Sequence, residues 1–126
     1  MPSEPASSPS VDHLDWDKAL RGVNGDPKLL REIFQIFLDE SPKWLEQERQ
    51  ALAAKDAEAS RRVAHMIKGA VSQLGMEIAR DLAQRMEDSG RAGQFEQAEA
   101  LFNEFEQECA MLQPHLLRFV ESTPIS

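Results

Sequence analysis

The sequence predicts an all-α protein, an antiparallel bundle of amphipathic helices. Three observations carry that expectation. From Leu14 onward apolar residues recur at helical spacing, and no segment alternates as a strand does. Tyrosine is absent and β-branched runs are scarce. Short turns join amphipathic segments of similar length, the pattern of helices packed antiparallel.

The elements follow in order. Residues 1–11 are rich in Pro and Ser with almost no large apolar side chains, and are expected to form a disordered leader. Asp15 caps a short first helix carrying Trp16, Ala19, Leu20 and Val23. "NGDP" breaks it: Asn24-Gly25 is a turn signal, Asp26 an N-cap, and Pro27 suits the first helical position. The second helix places Leu30, Ile33, Phe34 and Phe37 on one face. Pro42 either kinks it or restarts it, and the apolar face resumes with Leu45 and Leu52.

Asp56 caps a third helix that ends near Gly75. A fourth spans about Met76 to Ser89, with Ala79, Leu82, Ala83 and Met86 as its stripe. "SGRAGQ" is the next turn. The last helix runs from Phe95 through Ala98, Leu101, Phe102, Phe105, Cys109 and Leu112, and Pro114 is expected to bend or end it before a short "LLRFV". At 126 residues the chain is one domain, expected over residues 12–120 with a flexible tail over 121–126.

Composition excludes several functions. A net charge of −8 argues against nucleic acid as a partner, because phosphate backbones demand basic patches. The single cysteine, Cys109, cannot form an internal disulfide and falls among core positions. No apolar run approaches a membrane span, and the first ten residues lack the basic and apolar regions of a secretory signal, so the cytoplasm is the expected location. Zinc spacing, a Walker loop and a GxSxG elbow are absent. Glu32, Glu40 and Glu46 lie on the second helix, but the Glu-x-x-His pattern of a metal-binding bundle does not occur, so no metal site is expected.

The informative segment is "VAHMIKGAVSQLG", residues 63–75. At about 100° per residue, Val63, Ile67, Ala70 and Leu74 form its expected core stripe. Lys68, Gly69, Ser72, Arg61 and Arg62 fall within about 60° of His65, which points directly away from that stripe. The face around His65 is cationic and stripped of bulk, as an anion carried by a large partner requires. Met66 and Met76 flank it and are expected to meet a partner, while Met86 is core. A glycine at position 69 costs the helix about 1 kcal/mol, and that cost needs an offset.

The turn at Gly75 adds a second inference. His65 lies ten residues before it and Glu87 twelve after, so the two are expected at similar heights on neighbouring helices. A carboxylate accepting from Nδ1–H fixes the imidazole tautomer and leaves Nε2 as a free nucleophile. Glu87 is also placed to pair with Arg91, and Glu58 with Arg62, each at i,i+4. His13 and His115 belong to no recognisable constellation.

These residues resemble the histidine-containing phosphotransfer (HPt) domain of bacterial-type phosphorelays. The resemblance rests on "AHMIKGAVSQLG", an AHxxKGxxxxxG pattern, on "LAQRMEDSGR" downstream, and on "ALRGVNGDPKLLREIFQIFLDESP" upstream. It covers about residues 14–119. Departures at Ile78-Ala79, Met86 and Pro114 bear on packing. The resemblance implies an antiparallel up-down four-helix bundle with a short additional N-terminal helix. It implies that His65 takes a phosphoryl group from an aspartyl phosphate and passes it to another aspartate. Lys68 would neutralise the phosphate, Gly69 would admit the partner, and Glu87 would bond the histidine, with Arg62 and Ser72 beside them on the docking face. The implied partners are receiver domains of a hybrid sensor kinase and of a response regulator. The domain itself would have no cofactor, magnesium being the receiver's, and no kinase activity; a monomer is expected. The alternative is a non-catalytic helical adaptor that docks a receiver without carrying phosphate.

Overall fold

The computed structural model describes residues 9–123. Five helices follow one another: α1 (Trp16–Arg21), α2 (Pro27–Ala53), α3 (Ala57–Gln73), α4 (Glu77–Arg91) and α5 (Phe95–Ser122). The four long helices close a ring, α2 on α3, α3 on α4, α4 on α5 and α5 back on α2, while α1 touches α2. This is the up-down four-helix bundle with its short N-terminal helix.

The caps follow from the sequence. Asp15 accepts from Lys18 N, Asp26 from the amides of Lys28 and Leu29, and Asp56 from Ala59 N, each satisfying an orphan donor of the first turn. Helix α1 is too short to stand alone. Trp16 anchors it, with its ring 5.7 Å from Phe34 of α2 and 5.3 Å from Phe119 of α5. Such contacts add to the burial of the rings themselves.

Both internal prolines leave their helices unbroken. Helix α2 passes through Pro42 and α5 through Pro114, and each proline is on the exposed side, where water can serve the carbonyl left without a donor. The separate "LLRFV" segment is therefore not a separate element. Leu112, Leu116 and Val120 continue one buried stripe past Pro114, and that packing carries the helix on. The tail expected over 121–126 is corrected in the same way: Glu121 and Ser122 are helical, while residues 124–126 lie outside the described residues. Helix α4 also runs two residues further than expected, so the turn is Ala92–Gln94, with Gly93 at φ 76°.

The core of α3 is rotated from its expected position. Ser60, Ala64, Ile67, Val71 and Leu74 are buried, whereas Val63 and Ala70 are half-buried. The stripe is turned by about 50°. The reason is that α3 packs most closely on α4, so its small residues Ser60 and Ala64 are drawn into the interface. Met76 is likewise corrected: it is fully buried and cannot flank an exposed face. Cys109 is half-buried against the core, and burial, then Glu108 and Glu106, push its thiol up to about 12.

The stretch before α1 is fastened down. Of the expected leader, residues 1–8 lie outside the described residues. Beyond them, the Ser10 carbonyl accepts from the amides of His13 and Leu14, and Leu14 is buried. Ile78 N donates to Asp12 O at 2.9 Å and Asp15 N to Gly75 O at 2.8 Å. Gly75 is required twice over: its φ is 73°, and a Cβ there would stand 2.5 Å from the Asp15 carbonyl oxygen. His13 meets a partner the sequence did not show, its Nδ1 lying 2.6 Å from Oε2 of the buried Glu108.

Candidate functional site

The site is built on the α3–α4 interface. His65 projects from the middle of α3 with its side chain 63 % exposed. Glu87 projects from α4 at the same height and is 4 % exposed. His65 Nδ1 and Glu87 Oε2 are 3.3 Å apart. The rotation of the α3 stripe matters here, because it turns His65 away from a purely outward direction and towards α4.

Glu87 is ringed by cations. Lys68 Nζ lies 3.2 Å from Oε1, and Arg91, one turn further along α4, lies 3.3 Å from Oε2. Burial pushes the Glu87 carboxyl up, but the neighbouring Lys68 ammonium and then the His65 imidazole outweigh it, and the carboxyl ends below its ordinary value. A buried carboxylate that stays ionised presents a fixed negative charge to Nδ1. That charge favours the tautomer with the proton on Nδ1 and a free lone pair on Nε2.

Lys68 is oriented from two sides. Besides its ion pair with Glu87, it donates to Gln84 Oε1 at 2.9 Å, and Gln84 in turn donates to Asp88 Oδ1 at 3.0 Å. Its side chain is 23 % exposed, so the stem lies along the helices while the ammonium reaches the site. Gly69 is exposed, and a Cβ built there would meet nothing within 4 Å. No packing inside the described molecule requires that glycine.

Other residues on the predicted face are not gathered at the histidine. Arg61 is engaged by Glu58 at 2.8 Å, and Arg62 stands exposed, 3.9 Å from the same carboxylate. Glu58 thus prefers its i+3 neighbour to the expected i+4 one. Ser72 is half-buried two turns along α3, lining a groove with Lys18, Gly22, Val23 and Leu30. Arg91 pairs with Glu87 at i,i+4 as expected, while Gln84 is an addition that sequence reasoning missed. The register that pairs Glu87 with His65 also pairs Gln84 with Lys68, so extending it by one turn was the available signal.

A sequence model of the Hpt domain matches residues 32–115, a span that holds His65, Lys68, Gly69 and Glu87 in one unit. The chain belongs to the Hpt domain family. It is a histidine phosphotransfer domain of the phosphorelay type, and receiver domains are its class of partner.

Two solved structures show how far the Hpt likeness extends. Histidine-containing phosphotransfer protein B from Pseudomonas aeruginosa PAO1 superposes with a TM-score of 0.84 at 26 % identity, covering 91 % of this chain and 100 % of that one. The HPT domain from a sensor hybrid histidine kinase of Shewanella gives 0.78 at 22 % identity, covering 90 % of this chain and 98 % of that one, a likeness of fold. No curated protein matches the sequence. Among the described residues of this Hpt domain no helix is long and apolar enough to cross a membrane. Nor do three or more His, Cys, Asp and Glu side chains converge as metal ligands would among those residues.

Proposed function

We propose that His65 is the phosphoacceptor and that the domain relays a phosphoryl group between aspartates of two receiver domains. The Nε2 lone pair attacks the phosphorus of an aspartyl phosphate. An N–P bond forms, the acyl O–P bond breaks, and the aspartate leaves as a carboxylate. Transfer onward is the same exchange run with the second receiver's aspartate as nucleophile. The observation that carries this reading is the approach of Glu87 to His65 Nδ1 at 3.3 Å, on a histidine whose other nitrogen is open to a partner. A docking adaptor needs no carboxylate on its histidine.

The remaining residues take roles around that atom. Lys68 offsets charge on the transferred phosphoryl group. Gly69, with open space before it, lets a receiver's surface approach the imidazole. Arg62 and Ser72 contribute to the docking face. The chain acts as a monomer in the cytoplasm between a hybrid sensor kinase and a response regulator. It brings no metal and no kinase activity of its own; the receiver supplies the metal-assisted charge handling that phosphoryl transfer demands.

The test is incubation with a phosphorylated receiver domain. The protein should acquire an acid-labile, base-stable phosphate, and His65→Gln should abolish it. Retention of that label by the variant overturns the assignment.

A further inference from the structure

Glu48 plays no part in the site described above, yet it is the most deeply buried carboxyl among the described residues. It projects from α2, fully buried, and its Oε2 accepts from Ser60 Oγ of α3 at 2.8 Å. Its Oε1 has no hydrogen-bond partner among the described residues. A carboxyl placed so far from water is costly unless it holds something in place.

Ser60 is what it holds. Across the α3–α4 interface Ser60 faces Gly90, and a Cβ on Gly90 would stand 3.1 Å from Ser60 Oγ. That is closer than side chains ordinarily pack. An unrestrained hydroxyl would rotate away, but this one is tied to Glu48. Bare backbone at Gly90 therefore sets how closely the two helices approach at this level.

Gly90 lies three residues beyond Glu87, so both present to the same neighbour. Ser60 faces Gly90, His65 faces Glu87 and Lys68 faces Gln84, three contacts that follow one another along the same antiparallel pair of helices. Helices transmit a change of spacing at one contact to the next because close-packed interfaces do not deform continuously. A widening of a few tenths of an ångström at Gly90 falls directly on the contact between Glu87 and His65.

We propose that Glu48 and Gly90 are positioning residues of the phosphohistidine site. Glu48 fixes Ser60, Ser60 meets bare backbone at Gly90, and the resulting approach of α3 and α4 delivers the Glu87 carboxylate to His65 Nδ1. The consequence for transfer rests on His65 being the phosphoacceptor; the effect on the imidazole does not.

The experiment reads the imidazole itself. At one fixed pH, ¹⁵N shifts of His65 report the balance between its Nδ1–H and Nε2–H tautomers. Gly90→Ala should move that balance towards Nε2–H, with the helical circular dichroism kept, and Ser60→Ala added to it should restore the balance by clearing the space. Glu48→Ala should move the balance as well, while Glu48→Gln, which keeps volume and an acceptor for Ser60, should not. Phosphorylation of His65 by phosphoramidate should slow by about tenfold wherever the balance moves, since small misplacements of reacting groups cost that much. An unchanged ¹⁵N pattern in either folded Gly90→Ala or folded Glu48→Ala overturns the proposal. So does failure of Ser60→Ala to rescue Gly90→Ala. Because the shifts are read without phosphate, these results stand apart from whether His65 is the acceptor.

Discussion

Oε2 of Glu87 on α4 lies 3.3 Å from Nδ1 of His65 on α3, and the carboxylate that makes this contact is buried while the histidine is not. The site thus has a fixed charge behind it and an open nitrogen in front. Its behaviour under substitution and pH follows from that asymmetry.

Glu87→Gln should keep the bundle folded and slow phosphorylation of His65 by about tenfold or more, since the tautomer is no longer held by a charge. Glu87→Ala should in addition destabilise by about 1–3 kcal/mol, because Lys68 and Arg91 lose a buried partner. The native Glu87 carboxyl sits below its ordinary value of 4.5, the net of burial raising it and Lys68 and His65 lowering it further. Its contribution to stability is therefore complete above that ordinary value and is lost as pH falls through the native one. Urea melts in mild acid should show the wild type losing stability that Glu87→Gln never had.

Glu48 predicts the opposite slope. Burial raises its carboxyl to about 7, with the Ser60 hydrogen bond acting the other way. The native state then holds a proton that the unfolded chain has released. Its contribution is complete below 4.5, the ordinary value, and is lost as pH rises through about 7. The loss amounts to roughly 3 kcal/mol between those limits. Denaturation midpoints taken near about pH 5 and about pH 8 should differ in the wild type and nearly coincide in Glu48→Gln.

Gly69→Gln separates docking from chemistry. The helix should gain about 1 kcal/mol, because glycine is replaced by a good helix former and the added side chain meets open space. Phosphorylation by phosphoramidate, a small donor, should be unchanged, while transfer from a phosphorylated receiver should slow. Equal rates from both donors would show that Gly69 clears nothing.

His13→Gln should loosen the N-terminal stretch without touching transfer. His13 Nδ1 lies 2.6 Å from Oε2 of the buried Glu108, the one side-chain partner of that carboxyl among the described residues. Its removal should cost about 1–3 kcal/mol and raise amide exchange at Asp15 and Ile78, whose hydrogen bonds to Gly75 O and Asp12 O fasten this stretch to the α3–α4 turn. Unaltered exchange at those amides would mean that the backbone bonds alone hold it.

The sequence by itself determined the class of fold, the helix starts and the identity of His65's neighbours along its own helix. Those features are local: aspartate caps at positions 15, 26 and 56, a period near 3.6, and His65, Lys68 and Gly69 fixed on one face by their spacing. Even the contact between Glu87 and His65 was approachable, because a tight turn at Gly75 sets heights on two adjacent helices by counting. What only the tertiary structure decided depends on packing between distant segments. Whether Pro42 and Pro114 break their helices was settled by apolar stripes that continue past them. The true roll of α3 was settled by the closeness of α4, which draws Ser60 and Ala64 inward and turns Met76 into core. The partners of Glu48 and Glu108, on other segments of the chain, follow no local period. Helical phase and chain counting are one-dimensional properties, while the approach of three helices around a buried carboxyl is not, and it is that approach that brings Glu87 to its final distance from His65.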